Sequence, residues 1–190
     1  MDAAVAPQRE RAPVPLLFGT ILFLSSELLF FGGLFATYFT LRAQTDPWPP
    51  AGAELDTGLS AVATVLLIAS SFTFAWSVAQ GAKGRRSATA WGTVLTMVLG
   101  ATFVGIQIYD WTHLDFALSS HPYGTMYYAM TGFHALHVIA GLALMLIVLG
   151  RLGQGAYRDR VVHGPDAVAY YWHFVDVVWI GLFAVLFLIR

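Results

Sequence analysis

The sequence predicts an all-α integral membrane protein of five transmembrane helices, with the N-terminus cytoplasmic and the C-terminus external. Three observations predict it. Of 190 residues, 57% are hydrophobic and only 11% are charged, where a soluble domain carries roughly 25% charged residues. Five apolar runs reach the about 20 residues needed to cross ~30 Å of hydrocarbon. Basic residues gather on alternate links between those runs.

Residues 1–15 read as a polar, proline-containing cytoplasmic tail. No small-residue cleavage site follows a short apolar core, so the first run reads as a true span rather than a removable signal. Residues 16–190 then read as a single five-helix domain. The first span, Leu16–Leu41, leads to a link holding Asp46-Pro47-Trp48-Pro49-Pro50. The second, Leu59–Ala79, ends before Lys83 and Arg85-Arg86, and the third, Ala88–Tyr109, before His121-Pro122. The fourth, Met126–Leu149, is followed by Gly153, Gly155 and Gly164-Pro165, and the fifth is Val168–Ile189. These runs are continuous, which excludes a barrel of alternating strands of about ten residues. The absence of an internal repeat argues against an inverted-repeat transporter.

Charge sets the orientation. Arg9, Arg11, Lys83, Arg85, Arg86, Arg151, Arg158 and Arg160 fall on one side, against Arg42 and Arg190 on the other. Eight against two places the N-terminus inside. Trp48, Trp91, Trp111 and Tyr157, near span ends, fit interfacial belts. A net charge of −1 gives no basis for a nucleic-acid partner. With no cysteine, disulfides, Cys-ligated clusters and covalently attached c-type haem are excluded.

Chemistry is expected where polar groups interrupt the spans, because a carboxylate or imidazole at membrane depth is costly unless paired. Glu27, eleven residues into an outward-running helix, lies roughly 16 Å deep. His137 is about eleven and His134 about eight residues into an inward-running helix. Asp176, about eight residues into the fifth span, lies roughly 12 Å from its inner end. His134 and His137 share a helical face, as do His173, Asp176 and Trp179. Mutual pairing, or pairing with another subunit, is the economical way to tolerate them. Three readings stay open on residue chemistry: a haem or metal site, a self-contained proton path, and a hydrogen-bonded clamp fixing the helix arrangement. Histidines three apart on one helix do not flank a haem, and no Glu-x-x-His motif accompanies them. Residue chemistry favours the clamp. His113, His121 and His163 read as solvated link residues, with His163 beside Arg158, Asp159, Arg160 and Asp166 as a weak cytoplasmic proton buffer.

The motifs at these positions resemble subunit III of the haem–copper cytochrome oxidases, over nearly the whole chain. Ser26-Glu27-Leu28-Leu29-Phe30-Phe31 resembles the family's Ser-Glu-x-x-Phe-Phe helix. Gln107-Ile108-Tyr109-Asp110-Trp111 resembles its Gln-x-x-Glu-aromatic segment. Thr131-Gly132-Phe133-His134-Ala135-Leu136-His137-Val138 is close to its Thr-Gly-Phe-His-Gly-Leu-His-Val, and Tyr171-Trp172-His173-Phe174-Val175-Asp176-Val177-Val178-Trp179 is intact. Asp110 replaces the usual Glu, and Ala135 a Gly. Five spans stand where the mitochondrial form has seven. The two absent helices enclose that form's lipid cleft, so bound phospholipid here has less to hold it. Glu27 and Tyr171 lean toward the cytochrome c-oxidising branch.

The resemblance implies a non-redox subunit of an aa3-type cytochrome c oxidase, an oxidoreductase and proton-translocating complex of aerobic electron transport in a bacterial plasma membrane. Haem a and copper would sit in partner subunits, with no cofactor, metal or catalytic centre on this chain. Subunit I would be its direct neighbour and subunit II part of the same complex. Membrane lipids would surround it, and a respiratory supercomplex is compatible. It would support assembly, proton uptake and sustained turnover of subunit I. By motif, Glu27 lies on the helix facing subunit I, and His134, His137, His173 and Asp176 form the polar core behind it. Gln107, Asp110 and Trp179 are secondary positions. A quinol oxidase subunit or a nitric oxide reductase accessory protein is the alternative within this class, and an autonomous proton channel the alternative outside it.

Overall fold

Long apolar runs without internal proline leave the backbone one way to satisfy its N–H and C=O groups in lipid, the α-helix. A computed structural model, describing residues 14–155 and 164–189, has five in order: α1 Val14–Gln44, α2 Thr57–Ala82, α3 Arg86–His113, α4 Pro122–Gly153 and α5 Gly164–Phe183. A π-helical turn, Ala184–Leu188, continues α5. All five are long and apolar enough to span a bilayer. The tail and the link carrying Tyr157, Arg158, Arg160 and His163 lie outside the described residues, as do Arg9, Arg11 and Arg190.

The first four helices overrun their apolar cores at both ends, and polar caps outside the apolar runs start two of them. Asp56 starts α2 by accepting a hydrogen bond from Leu59 N at 2.9 Å. His121 starts α4 in the same way, its Nδ1 accepting from Gly124 N at 2.8 Å. His121 is thus a helix cap rather than a solvated link residue. His113, also expected on a link, is the last residue of α3, with Nδ1 2.8 Å from Tyr109 O.

Small and hydroxylated residues bring α2 and α3 together, as they do between membrane helices generally. Ser77 Oγ donates to Thr89 O at 2.7 Å and meets Thr93 Oγ1 at 2.9 Å, and Thr73 meets Thr96 at 2.8 Å. A Cβ on Gly92 would stand 2.7 Å from that of Ser77. The two helices turn through Gly84 at φ 72°, a left-handed conformation suited to glycine. Arg86 donates to Leu152 O, pinning this turn to the far end of α4. Lys83, Arg85, Arg86 and Arg151 therefore share one end of the bundle.

The centre is α5, with 56% of its span buried, and the edge is α1, with 6%. Trp172 of α5 is fully buried between Gly100 of α3 and Gly141 of α4, where a Cβ would stand 2.8 and 2.7 Å from its ring. Its indole N–H donates to Ser70 of α2 at 2.9 Å. One side chain thus locks four helices. At the opposite end from the basic turn, the α1–α2 link folds inward. Trp48 donates to Tyr38 Oη at 3.1 Å and sits edge-on to Tyr123. Trp111 donates to Thr131 at 3.2 Å. These two half-buried indoles tie this end of the bundle together, whereas Trp91 is 72% exposed, as a belt residue would be.

Candidate functional site

Among the described residues, the acids and histidines singled out within the spans fall into three clusters and one solitary side chain. In the first, α1 and α4 face each other and His137 Nε2 lies 2.9 Å from Glu27 Oε2. His137 Nδ1 lies 2.7 Å from Phe133 O. A carbonyl only accepts, so Nδ1 carries the hydrogen. The remaining proton is then shared between Nε2 and the carboxyl, and the pair is neutral overall whichever group holds it. Phe31 stands edge-on to His137 at 5.1 Å, and Phe30 and Tyr171 stack on it at 6.5 Å. Tyr171 of α5 donates to His137 O at 2.9 Å.

The second cluster joins α2 to α5. Its members His173 and Asp176 were singled out by sequence, but they do not meet directly. Ser71 stands between them, 2.6 Å from His173 Nδ1 and donating to Asp176 Oδ2. Next to these residues Trp172 donates to Ser70, and farther along the same helix pair Trp179 donates to Thr64, each at 2.9 Å. Ser71 was missed by sequence reasoning. The Ser70-Ser71 pair in the middle of an apolar span was the signal available.

The third cluster binds α3 to α4. Tyr127 donates to Asp110 Oδ2 at 2.5 Å and receives a long 3.4 Å contact from Gln107 Nε2. Tyr127 too went unnoticed, because an aromatic residue in a membrane helix looks like packing until its hydroxyl is placed.

His134 corrects the expectation of mutual pairing. It is 1% exposed, and neither ring nitrogen has a hydrogen-bond partner among the described residues. Phe103 stands edge-on to it at 5.6 Å and Trp179 tilts over it at 4.8 Å, so it behaves as an aromatic core residue. Asp176 Oδ1 is likewise buried without a partner. The polar seam expected from depth alone is therefore three local joints between helix pairs.

The joints fall on motifs with known relatives. The family model for cytochrome c oxidase subunit III matches residues 11–189. The chain belongs to the cytochrome c oxidase subunit III family. A probable cytochrome c oxidase subunit 3 of Nocardia farcinica is 44% identical over 176 residues, covering 90% of this chain and 87% of the relative. The corresponding protein of Mycobacterium tuberculosis is 42% identical with the same coverage. The cytochrome c oxidase subunit 3 of Corynebacterium diphtheriae is 40% identical over 194 residues, 97% of this chain and 95% of the relative. Subunit III is one component of a respiratory oxidoreductase complex, so partner subunits are implied. Its five apolar helices make this member a multi-pass membrane protein.

Proposed function

We propose that this subunit III supports assembly, proton supply and sustained turnover of the oxygen-reducing subunit I in an aa3-type cytochrome c oxidase of a bacterial plasma membrane. The family match over residues 11–189 carries the reading. Subunit I is the direct neighbour, with subunit II in the same complex. The N-terminus is cytoplasmic and the C-terminus external, in keeping with the basic end formed by Lys83, Arg85, Arg86 and Arg151. Glu27 lies on α1, whose span is only 6% buried and offers the most surface to a neighbour.

Haem a and copper belong to partner subunits in this reading, and the described histidines within the spans are already engaged or enclosed. His137 is engaged with Glu27 and Phe133, His173 with Ser71, and His134 is walled in by Phe103 and Trp179. Among the described residues no three His, Asp or Glu side chains converge as metal ligands would. What the joints offer instead is hydrogen-bonded pairing between helices, which holds them in a fixed rotation.

Purification of the tagged chain in mild detergent tests the reading. Companion subunits with a haem a signal in the reduced-minus-oxidised spectrum are the expected result. A b-type spectrum would move the chain to a quinol oxidase or nitric oxide reductase complex, and a colourless lone chain would overturn the oxidase role.

A further inference from the structure

The α2/α5 joint contains more than a clamp requires. Ser71 Oγ touches both His173 Nδ1, at 2.6 Å, and Asp176 Oδ2. A hydroxyl carries one hydrogen, so it donates to one neighbour and accepts from the other. Two polarities satisfy both contacts. In the first, Ser71 donates to ionised Asp176 and accepts from His173 Nδ1–H, which leaves Nε2 as a bare lone pair. In the second, Asp176 is a carboxylic acid donating to Ser71, Ser71 donates to Nδ1, and Nε2 carries the hydrogen. One proton added at Nε2 converts the first into the second. It forms imidazolium, the Nδ1 proton passes to Ser71 Oγ, and the serine proton passes to Asp176 Oδ2. The charge of the three residues goes from minus one to zero.

The ends of the chain differ as a loading site requires. Asp176 is buried, with Oδ1 unpartnered, whereas His173 is half-buried and its Nε2 has no hydrogen-bond partner among the described residues. Among the described residues no other charged group pairs with the site. Helix α2 has no acidic or basic residue from Thr57 to Ala82. From α4 come His134, enclosed by Phe103 and Trp179, and His137, which pairs with Glu27 of α1. On α5 itself the other carboxylate is Asp166, in the first turn.

We propose that Asp176, Ser71 and His173 form a proton-binding site on the α2/α5 face, loaded through His173 Nε2, with Ser71 passing the proton to Asp176. The site stands on this chain's geometry; only the source of the proton rests on the oxidase reading. Infrared spectra of the complete purified complex, taken across pH in H₂O and D₂O, test it. Wild type should gain a D₂O-sensitive carboxylic C=O band on acidification, and Asp176→Asn should lose it. Ser71→Ala should displace the band's midpoint by about one pH unit or more, tenfold in proton concentration. Ser71→Thr, which keeps the hydroxyl, should restore the wild-type midpoint. Should Asp176→Asn fail to assemble, the alanine and threonine variants decide alone. A band absent from wild type, retained in Asp176→Asn, or unmoved in Ser71→Ala overturns the proposal. Loss of companion subunits would count against the oxidase reading while leaving the band measurable.

Discussion

Glu27 and His137 make a contact whose two halves answer differently to substitution. His137 Nδ1 is committed to Phe133 O, so Nε2 needs a partner across the helix boundary. Glu27→Gln supplies an amide N–H to that nitrogen and should assemble at wild-type yield, while slowing sustained turnover through loss of the shared proton. Turnover and inactivation kinetics of the purified complex check this; wild-type kinetics would remove the functional role. Glu27→Leu leaves Nε2 unsatisfied, at a cost of about 1–3 kcal/mol, and its yield should fall below that of Glu27→Gln. His134 should behave in the opposite way. Its nitrogens have no partner among the described residues, so His134→Leu removes two desolvated polar groups and should leave thermal stability within about 1 kcal/mol of wild type or above it. A marked fall in melting temperature would show that the ring has a polar role.

Among the helices, rotation is set by close approach rather than by hydropathy. Trp172 fills the space that Gly100 and Gly141 leave open, and its N–H reaches Ser70 beyond them. Gly141→Val should therefore sharply reduce the yield of folded protein. Adding Trp172→Leu should recover part of the loss, with a coupling on the order of 0.5–3 kcal/mol as for residues in contact. Additive losses would mean that the two sites do not share one space. Helix ends carry a related lesson. His121 is separated from the fourth apolar run by several residues, yet its ring starts α4. A hydropathy profile records where lipid ends, not where the last backbone amide finds an acceptor.

For the molecule as a whole, the central α5 and the marginal α1 define an inside and an open edge. The clustering of Lys83, Arg85, Arg86 and Arg151 at one end gives the topology a direct test. The chain has no cysteine, so single cysteines can be introduced cleanly. Glu54→Cys should react with a membrane-impermeant maleimide on intact cells, and Lys83→Cys only after lysis. The reverse pattern would invert the proposed orientation.

By itself the sequence determined the helical class, the five spans, the costly polar groups within them and the family. Each of these follows from local chemistry: lipid admits apolar helices, and a carboxylate in an apolar run stands out. Glu27, His137, His173 and Asp176 were all legible for that reason. Only the tertiary structure decided who meets whom. It set Ser71 between His173 and Asp176, joined Tyr127 to Asp110, and left His134 unpaired between Phe103 and Trp179. The physical reason is that depth comes from position along one helix, whereas pairing depends on how each helix is rotated against its neighbours. That rotation is fixed by fits such as Trp172 between Gly100 and Gly141, which no single span records.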